Sequence, residues 1–424
     1  MIPKKEPKFK LGLTEEEITP RAGLAMYHES LDRSGIIDLI DKMVPSPGSK
    51  RGYNPSAYIV PLMLMMLGGG SCIEHIREIK NDDALINLLN LRIPSLSTFG
   101  DWLRRLGRKG LKPFSSLMDK IALNALRLDK NKEYTLLIDP TIIEADKCDA
   151  AMTYKGMKGY RPVIATFLEL PIVIYSEFRD GNRMGGMKKI LKKIFDMMPE
   201  GKRIKTVLLD SEFYNTEVIN FLTERNVSFA ISADKTRSLL DTIKSIKELP
   251  AFKDSYGVTT DRLIGESVYC LNDTEPFRIV SLKWLKKDPP LFGGEKYNYH
   301  VIATNLECPL NEVIYNYNKR VNIENHIKEL KNGFSLEQMP SGDFYANALY
   351  FAIGVLTYNT FIIMKNNLLP ESFVDKTINT VRWSIINIAG RVSRTARSVY
   401  LKLASTADKL NMYIGIREKC VMIT

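Results

Sequence analysis

Two short apolar runs, each ending in an aspartate, constrain this chain more than any other feature: TLLID, closing at Asp139, and TVLLD, closing at Asp210. Neither run alternates apolar with polar residues, so each suits a strand covered on both faces at the centre of an α/β sheet. Such sheets gather their ligand sites at the carboxyl ends of their strands, and both runs put an acid there. Taken singly, each aspartate also has a local explanation, as a helix cap or the start of a turn.

The surrounding pattern builds on the two runs. Val163 to Phe167 and Pro171 to Phe178 are expected as strands. Met184 to Met198 is expected as a helix with Lys188, Lys189, Lys192 and Lys193 on its wet side, Asn215 to Glu224 as another, and Val227 to Ser232 as a strand. The order strand, strand, strand, helix, strand, helix, strand predicts a mixed three-layer α/β domain. From Ala233 to Leu310 the chain is β-rich with turns (SVYCL, FRIVSLKWL, NYHVIATN) before a helix resumes at Asn311, which predicts an inserted β-rich subdomain.

The residues before Tyr134 read as all-helical. One helix is expected over Leu31 to Val44, broken by Pro45, Pro47 and Gly48, and another over Ser56 to Leu67, ended by three glycines. Ile73 to Leu91 supplies one or two more. Ser97 or Thr98 is then expected to cap a helix with Trp102, Leu103 and Leu106 inside and Arg104, Arg105, Arg108 and Lys109 outside. The first ten residues, basic and proline-containing, read as a mobile arm.

Composition narrows the partners. Lys and Arg number 60 against 49 Asp and Glu, a net charge of +11 over 424 residues, which favours a polyanionic partner such as nucleic acid or an anionic membrane surface. The five cysteines are scattered without zinc-ligand or redox spacing, and with four histidines they argue against a structural zinc site. Isolated cysteines and no signal-peptide pattern lead us to expect a reducing cytoplasm. Ala57 to Leu67 is short for a membrane span and interrupted by Pro61, and Ala348 to Met364 carries Thr357, Asn359 and Thr360. Both are expected as buried helices, with no membrane partner.

A third acid joins the two aspartates. The segment YNKRVNIENHIKELKNG, from Tyr317 to Gly333, reads as a helix stopped by glycine. At roughly 100° per residue, Tyr317, Arg320, Glu324 and Lys331 fall within an arc of about 60° on it. A solvated stripe of i,i+4 ion pairs among Arg320, Glu324 and Lys328 would have the same spacing. Two carboxylates at strand ends and one on a packed helix are also what hard divalent cations need. Magnesium takes oxygen ligands, and a pair of such ions brackets a phosphodiester.

With these residues in place, the chain resembles the DDE transposases of bacterial insertion sequences, in the subgroup with a Y-(2)-R-(3)-E-(6)-K signature. That signature reads here as Tyr317, Arg320, Glu324 and Lys331, and the two family aspartates match Asp139 in LLIDPT and Asp210 in LLDSEFY. The STFGDWLRR and YKGMKGYRP segments are similar to parts of such enzymes, and the long gap between Asp210 and Glu324 leaves room for the family's β-rich insertion. The resemblance implies an α/β ribonuclease-H-like catalytic core over 131–345 with the insertion at about 233–310. It also implies an all-α DNA-binding domain over 1–130 and a helical C-terminal region over 346–424 for dimer or DNA contacts. It implies cut-and-paste transposition, with two Mg²⁺ (or Mn²⁺) held by Asp139, Asp210 and Glu324, and with Tyr317, Arg320 and Lys331 gripping the scissile strand. Its expected partners are double-stranded DNA, as element ends with inverted repeats and as target, and a second copy in a homodimer. Its expected place is the bacterial cytoplasm, at the nucleoid.

Other residues carry softer readings. Lys155, Lys158 and Arg161, among Tyr154, Tyr160 and two glycines, form a segment that tracks phosphates or is an ordinary solvated loop. Trp284, among Lys283, Lys286 and Lys287, either packs in the core or stacks on a flipped base, as an insertion tryptophan does in related enzymes. Arg391, Arg394 and Arg397, three residues apart, suggest a helix that faces DNA or a subunit or simply has a wet face. His326 has no His or Cys partner nearby and is a poor metal ligand. The competing functions are a ribonuclease-H-like nuclease that only hydrolyses, a transposase-derived DNA-binding protein without catalysis, and a membrane-surface protein, for which no clear basic amphipathic anchor is present.

Overall fold

The computed structural model describes residues 9–46, 52–181, 183, 185–246, 249–288 and 295–422. Most of the expected N-terminal arm, Pro47, Gly48 and Met184 lie outside them. After a two-residue strand, β1 (Ile18–Thr19), come six helices: α1 (Gly23–Arg33), α2 (Ile36–Met43), α3 (Ser56–Gly68), α4 (Ile76–Lys80), α5 (Asp83–Leu89) and α6 (Leu96–Leu128). The single helix expected over 31–44 is therefore two. Gly35, with φ at 70°, turns the chain between them, a conformation that glycine adopts without strain. Helix α3 is buried from Tyr58 to Leu67 and stops where Gly69 takes φ of 98°. Helix α6 starts before Ser97 and Thr98, so neither caps it, and the Thr98 hydroxyl donates to the Ser95 carbonyl instead. Gly107 interrupts α6 with non-helical angles.

The centre is built by β2 (Glu133–Pro140), β3 (Ile143–Glu144), β4 (Ala151–Met152), β5 (Lys158–Tyr160), β6 (Val163–Phe167), β7 (Val173–Glu177), α7 (Met187–Asp196), β8 (Arg203–Leu209), α8 (Thr216–Thr223) and β9 (Ser228–Ser232). The two apolar runs are β2 and β8, adjacent and parallel, with Leu136 opposite Val207 and Ile138 opposite Leu209. Leu136, Leu137 and Ile138 are wholly buried, as unalternated strands require. Strands β3, β5 and β4 form a small separate sheet, so the basic segment after Asp139 is a folded hairpin, not a loop.

The β-rich segment holds α9 (Arg237–Lys244), β10 (Ala251–Lys253), β11 (Thr259–Tyr269), β12 (Phe277–Leu285) and β13 (Tyr297–Thr304). It does not stand apart as a subdomain. Its strands extend the central sheet to nine, in the order β10-β11-β12-β13-β9-β8-β2-β6-β7. The junction is antiparallel, with Ile302 opposite Ser232, and it gives the otherwise open edge of β9 a partner.

The chain closes with α10 (Leu310–Asn318), α11 (Val321–Lys328), α12 (Phe344–Asn367), α13 (Ile378–Val381), β14 (Gly390–Arg394), β15 (Val399–Leu403) and α14 (Ala407–Met422). Helix α12 is long and apolar enough to cross a membrane by composition, yet 89% of its most apolar window is buried in protein. It packs against α3, α6 and β7, and its polar groups are matched there. Asn359 accepts from the Val173 amide and donates to the Val173 carbonyl, both at 2.8 Å. The expected basic helix near the C-terminus is a hairpin, β14 and β15, and β14 also pairs with β1. Arg391 and Arg394 meet Glu16 and Glu17 at 3.1 and 2.6 Å, so these arginines bind the chain's own N-terminal acids. One continuous buried core runs from α1 to α14, joining the segments 1–130, 131–345 and 346–424.

Candidate active site

Because β2 and β8 run parallel in register, the residues that follow Ile138 and Leu209 emerge side by side at the sheet's carboxyl edge. Those residues are Asp139 and Asp210. Asp210 is extended and begins a single 3-10 turn, Ser211–Phe213, where its Oδ1 accepts the Glu212 amide at 3.1 Å. The third acid arrives on α11, which lies on β2 and β6 through buried Ile323 and Ile327. Glu324, next to Ile323, is left at the edge of the same cleft. That cleft, about 250 Å³, is lined by Asp139, Thr141, Glu324, Lys328, Lys331 and Glu337 among others.

Arg320 joins the acids. Its guanidinium donates to Asp139 Oδ1 at 3.1 Å and to Glu324 Oε1 at 3.2 Å. This is more than an exposed i,i+4 pair, since the Arg320 and Asp139 side chains are only 18% and 19% exposed. Burial pushes Asp139 up to about 7, with the Arg320 charge opposing the rise and Asp210 and Glu324 adding to it. Asp210 is also raised, first by burial and then by the charge of Glu212. Carboxyls shifted in this way by burial and neighbouring charge cluster at functional sites.

The other signature residues gather around this centre, though not along one straight helix as the spacing predicts. Helix α10 ends at Asn318, and the amides of Lys319 and Arg320 donate three residues back, to Asn316 and Tyr317. That tight turn swings Arg320 towards Asp139. After α11 the chain widens into a π-turn, Glu329–Gly333, and Lys331 donates to the Ile142 carbonyl at 2.6 Å. Tyr317 is buried against β9, with its ring edge-on to His300 at 5.3 Å. His326 faces Thr166 at 2.9 Å, and burial holds it low, at about 4.

By donor type Asp139, Asp210 and Glu324 suit a hard divalent cation, being carboxylate oxygens only, and Asp139 and Glu324 line the cleft while Asp210 follows the neighbouring strand. Asp139 and Glu324 are closed on the Arg320 guanidinium. Among the described residues no group of three or more His, Cys, Asp or Glu lies close enough to hold a metal ion.

The remaining predicted positions divide. Lys155 and Lys158 are exposed on the hairpin, Lys158 loosely paired with Asp146 at 3.8 Å. Arg161 is not a surface residue. It is buried and bound twice to Glu212, at 2.5 and 3.3 Å, with the Tyr154 ring 5.1 Å away. Arg104 is paired with Asp101 at 2.6 Å, and Arg105 is exposed beside it on α6. Trp284 is half-buried on β12 with the Arg262 guanidinium 4.9 Å over its ring. Sequence reasoning missed Glu212, Arg262 and His300. Only Glu212 had a signal, its place two residues after Asp210.

Two acids on neighbouring parallel strand ends and a third on a covering helix define a class: α/β proteins that work at a carboxylate cluster on the sheet edge. A family model described as "Transposase DDE domain group 1" matches residues 2–419. The chain belongs to this family of DDE transposases. No curated protein matches the chain. Among solved structures it is similar to a piggyBac transposase synaptic complex with hairpin DNA, at 11% identity and a TM-score of 0.48, over 95% of this chain and 80% of that one.

Proposed function

We propose that this transposase cuts DNA at the ends of a bacterial insertion sequence and joins the freed 3′ ends to target DNA, with Asp139, Asp210 and Glu324 as its acids. The observation that carries the reading is the convergence of Asp139 and Glu324 on Arg320, beside Asp210, at the carboxyl edge of the sheet. The strand order, antiparallel β7-β6-β2 leading into parallel β8 and β9, supports a ribonuclease-H-like core. The spacing of Tyr317, Arg320, Glu324 and Lys331 supports the Y-R-E-K subgroup.

In this mechanism Asp139, Asp210 and Glu324 would hold two Mg²⁺ or Mn²⁺ ions, which would supply activation of the attacking oxygen and charge neutralisation on the phosphate. Arg320 then exchanges its carboxylate partners for the scissile phosphate, where its planar fork orients two oxygens. Lys331 steadies the phosphate from the other wall of the cleft. Tyr317 supports the Arg320 turn from below. Exposed Lys155, Lys158, Arg104 and Arg105 bind flanking phosphates, and Trp284 stacks on a base once Arg262 moves aside. Two element ends are held together by a homodimer acting on DNA in the bacterial cytoplasm, at the nucleoid.

The DNA flanking the gene, with short inverted repeats inside a direct duplication, supplies the substrate. Parent protein with Mg²⁺ is expected to nick those ends and form joined products, and Glu324→Gln to bind the ends but make neither product. Nicking without any joined product leaves a hydrolase, and binding without cleavage by the parent leaves a non-catalytic DNA-binding protein.

A further inference from the structure

The buried ion pair between Arg161 and Glu212 has no place in the chemistry above, yet it links the turn that follows Asp210 to the chain entering β6, the strand beside β2. Both side chains are only 9% exposed. Arg161 follows β5 and lies two residues before β6, which pairs with β2 so that Asp139 lies opposite Ile164. Two residues past Asp139, the Thr141 amide donates to the Pro162 carbonyl at 2.9 Å, and the Arg161 amide donates to the Arg179 carbonyl at 2.8 Å. The residue after the arginine is thus tied to the chain leaving β2, and the arginine itself to the chain leaving β7. Its guanidinium reaches across to Glu212 with two hydrogen bonds, 2.5 and 3.3 Å. Glu212, in turn, gives its amide to Asp210 Oδ1, and the next residue, Phe213, is fully buried beneath the turn. The Tyr154 ring covers the guanidinium from the solvent side.

We propose that Arg161 and Glu212 are the positioning pair that sets the spacing of Asp139 and Asp210. The proposal rests on the reading of those two aspartates as the acids of a divalent-cation site. A fork-shaped, doubly bonded arginine fixes distance and direction together, which a lysine does not. Without it, the three-residue turn that carries Asp210 loses a side-chain tie to the chain beside β2 and keeps only its backbone bonds and the burial of Phe213 and Tyr214. Partners that orient a ligating carboxylate in this way typically contribute about 10- to 100-fold to metal affinity or activity. Neither residue touches substrate in this scheme.

The test uses the full-length protein with Mn²⁺ as probe and three readouts: melting temperature, calorimetric Mn²⁺ affinity without DNA, and single-turnover cleavage at saturating end DNA. Glu212→Gln, which keeps the shape and loses the charge, is expected to stay folded and to bind end DNA as the parent does. Its Mn²⁺ affinity and its cleavage rate are each expected to fall by about 10- to 100-fold. The reversed pair, Arg161→Glu with Glu212→Arg, is expected to regain part of the Mn²⁺ affinity that either single change loses. A folded Glu212→Gln protein with parental Mn²⁺ affinity and cleavage rate overturns the proposal, leaving the pair a packing element. Should Glu212→Gln fail to fold, Arg161→Lys reads the same quantities, and parental values there overturn it equally. A parent that binds no Mn²⁺ overturns the metal reading itself, and this proposal with it.

Discussion

Arg320 is the residue on which the account turns. Its guanidinium binds two of the three carboxylates, Asp139 and Glu324, and burial keeps Asp139 raised in spite of that charge. Arg320→Met, which leaves two carboxylates without a partner in a partly dry site, is expected to cost about 1–3 kcal/mol of stability without metal. Added Mn²⁺ is expected to raise the melting temperature of this variant more than that of the parent, because the ion no longer displaces the guanidinium. Equal stabilisation of both proteins would show that Arg320 does not share the cation's site. At this scale the sequence placed Asp139 and Asp210 at neighbouring strand ends and Arg320 one helical turn from Glu324, as the structure has them, because spacing and strand ends are local properties. Arg161, expected either to track phosphates or to lie in a solvated loop, is buried instead, because its partner, Glu212, lies on another element far along the chain. A pattern of basic residues does not say which of them are already paired.

Among the elements, the strands were the most legible. Unalternated apolar runs appear where both faces are covered, and β2, β6, β8 and β9 lie within a residue or two of where the runs put them. Helix breaks were not legible: Gly35 splits the first expected helix, and a turn of i−3 bonds splits the signature helix ahead of Arg320. The arginine spacing near residue 391 imitates a helix, yet the segment alternates buried and exposed side chains as a hairpin. Helix α12 was read correctly as buried, and its Asn359 states the reason, since the amide side chain completes the hydrogen bonding of Val173 on β7. Asn359→Ala orphans both Val173 backbone groups in a dry interior. It is expected to lower stability by about 1–3 kcal/mol, as measured by urea denaturation. A loss no larger than that of an exposed substitution would mean that β7 is held by other contacts.

Across the whole molecule, the β-rich insertion and both ends of the chain serve one sheet and one core. Strands β10 to β13 carry the sheet past the end of β9, so that His300 and Trp284 extend beyond the acids on one side while Lys331 closes the other. Sequence order alone predicts an insertion but not whether it forms its own core, because the edge that accepts it is defined only once the sheet is assembled. The central claim is that the two strand-end aspartates and Glu324 hold the cation that cuts DNA. Its most direct measurement is single-turnover cleavage of end DNA by Asp210→Cys in Mg²⁺ and then in Mn²⁺. A thiolate is a poor ligand for magnesium and a better one for softer ions. The account predicts no cleavage in Mg²⁺ and partial recovery in Mn²⁺ by a folded, DNA-binding protein. Parental cleavage in Mg²⁺, or a folded variant that stays inactive in both metals while Asp210→Asn cuts, would contradict it.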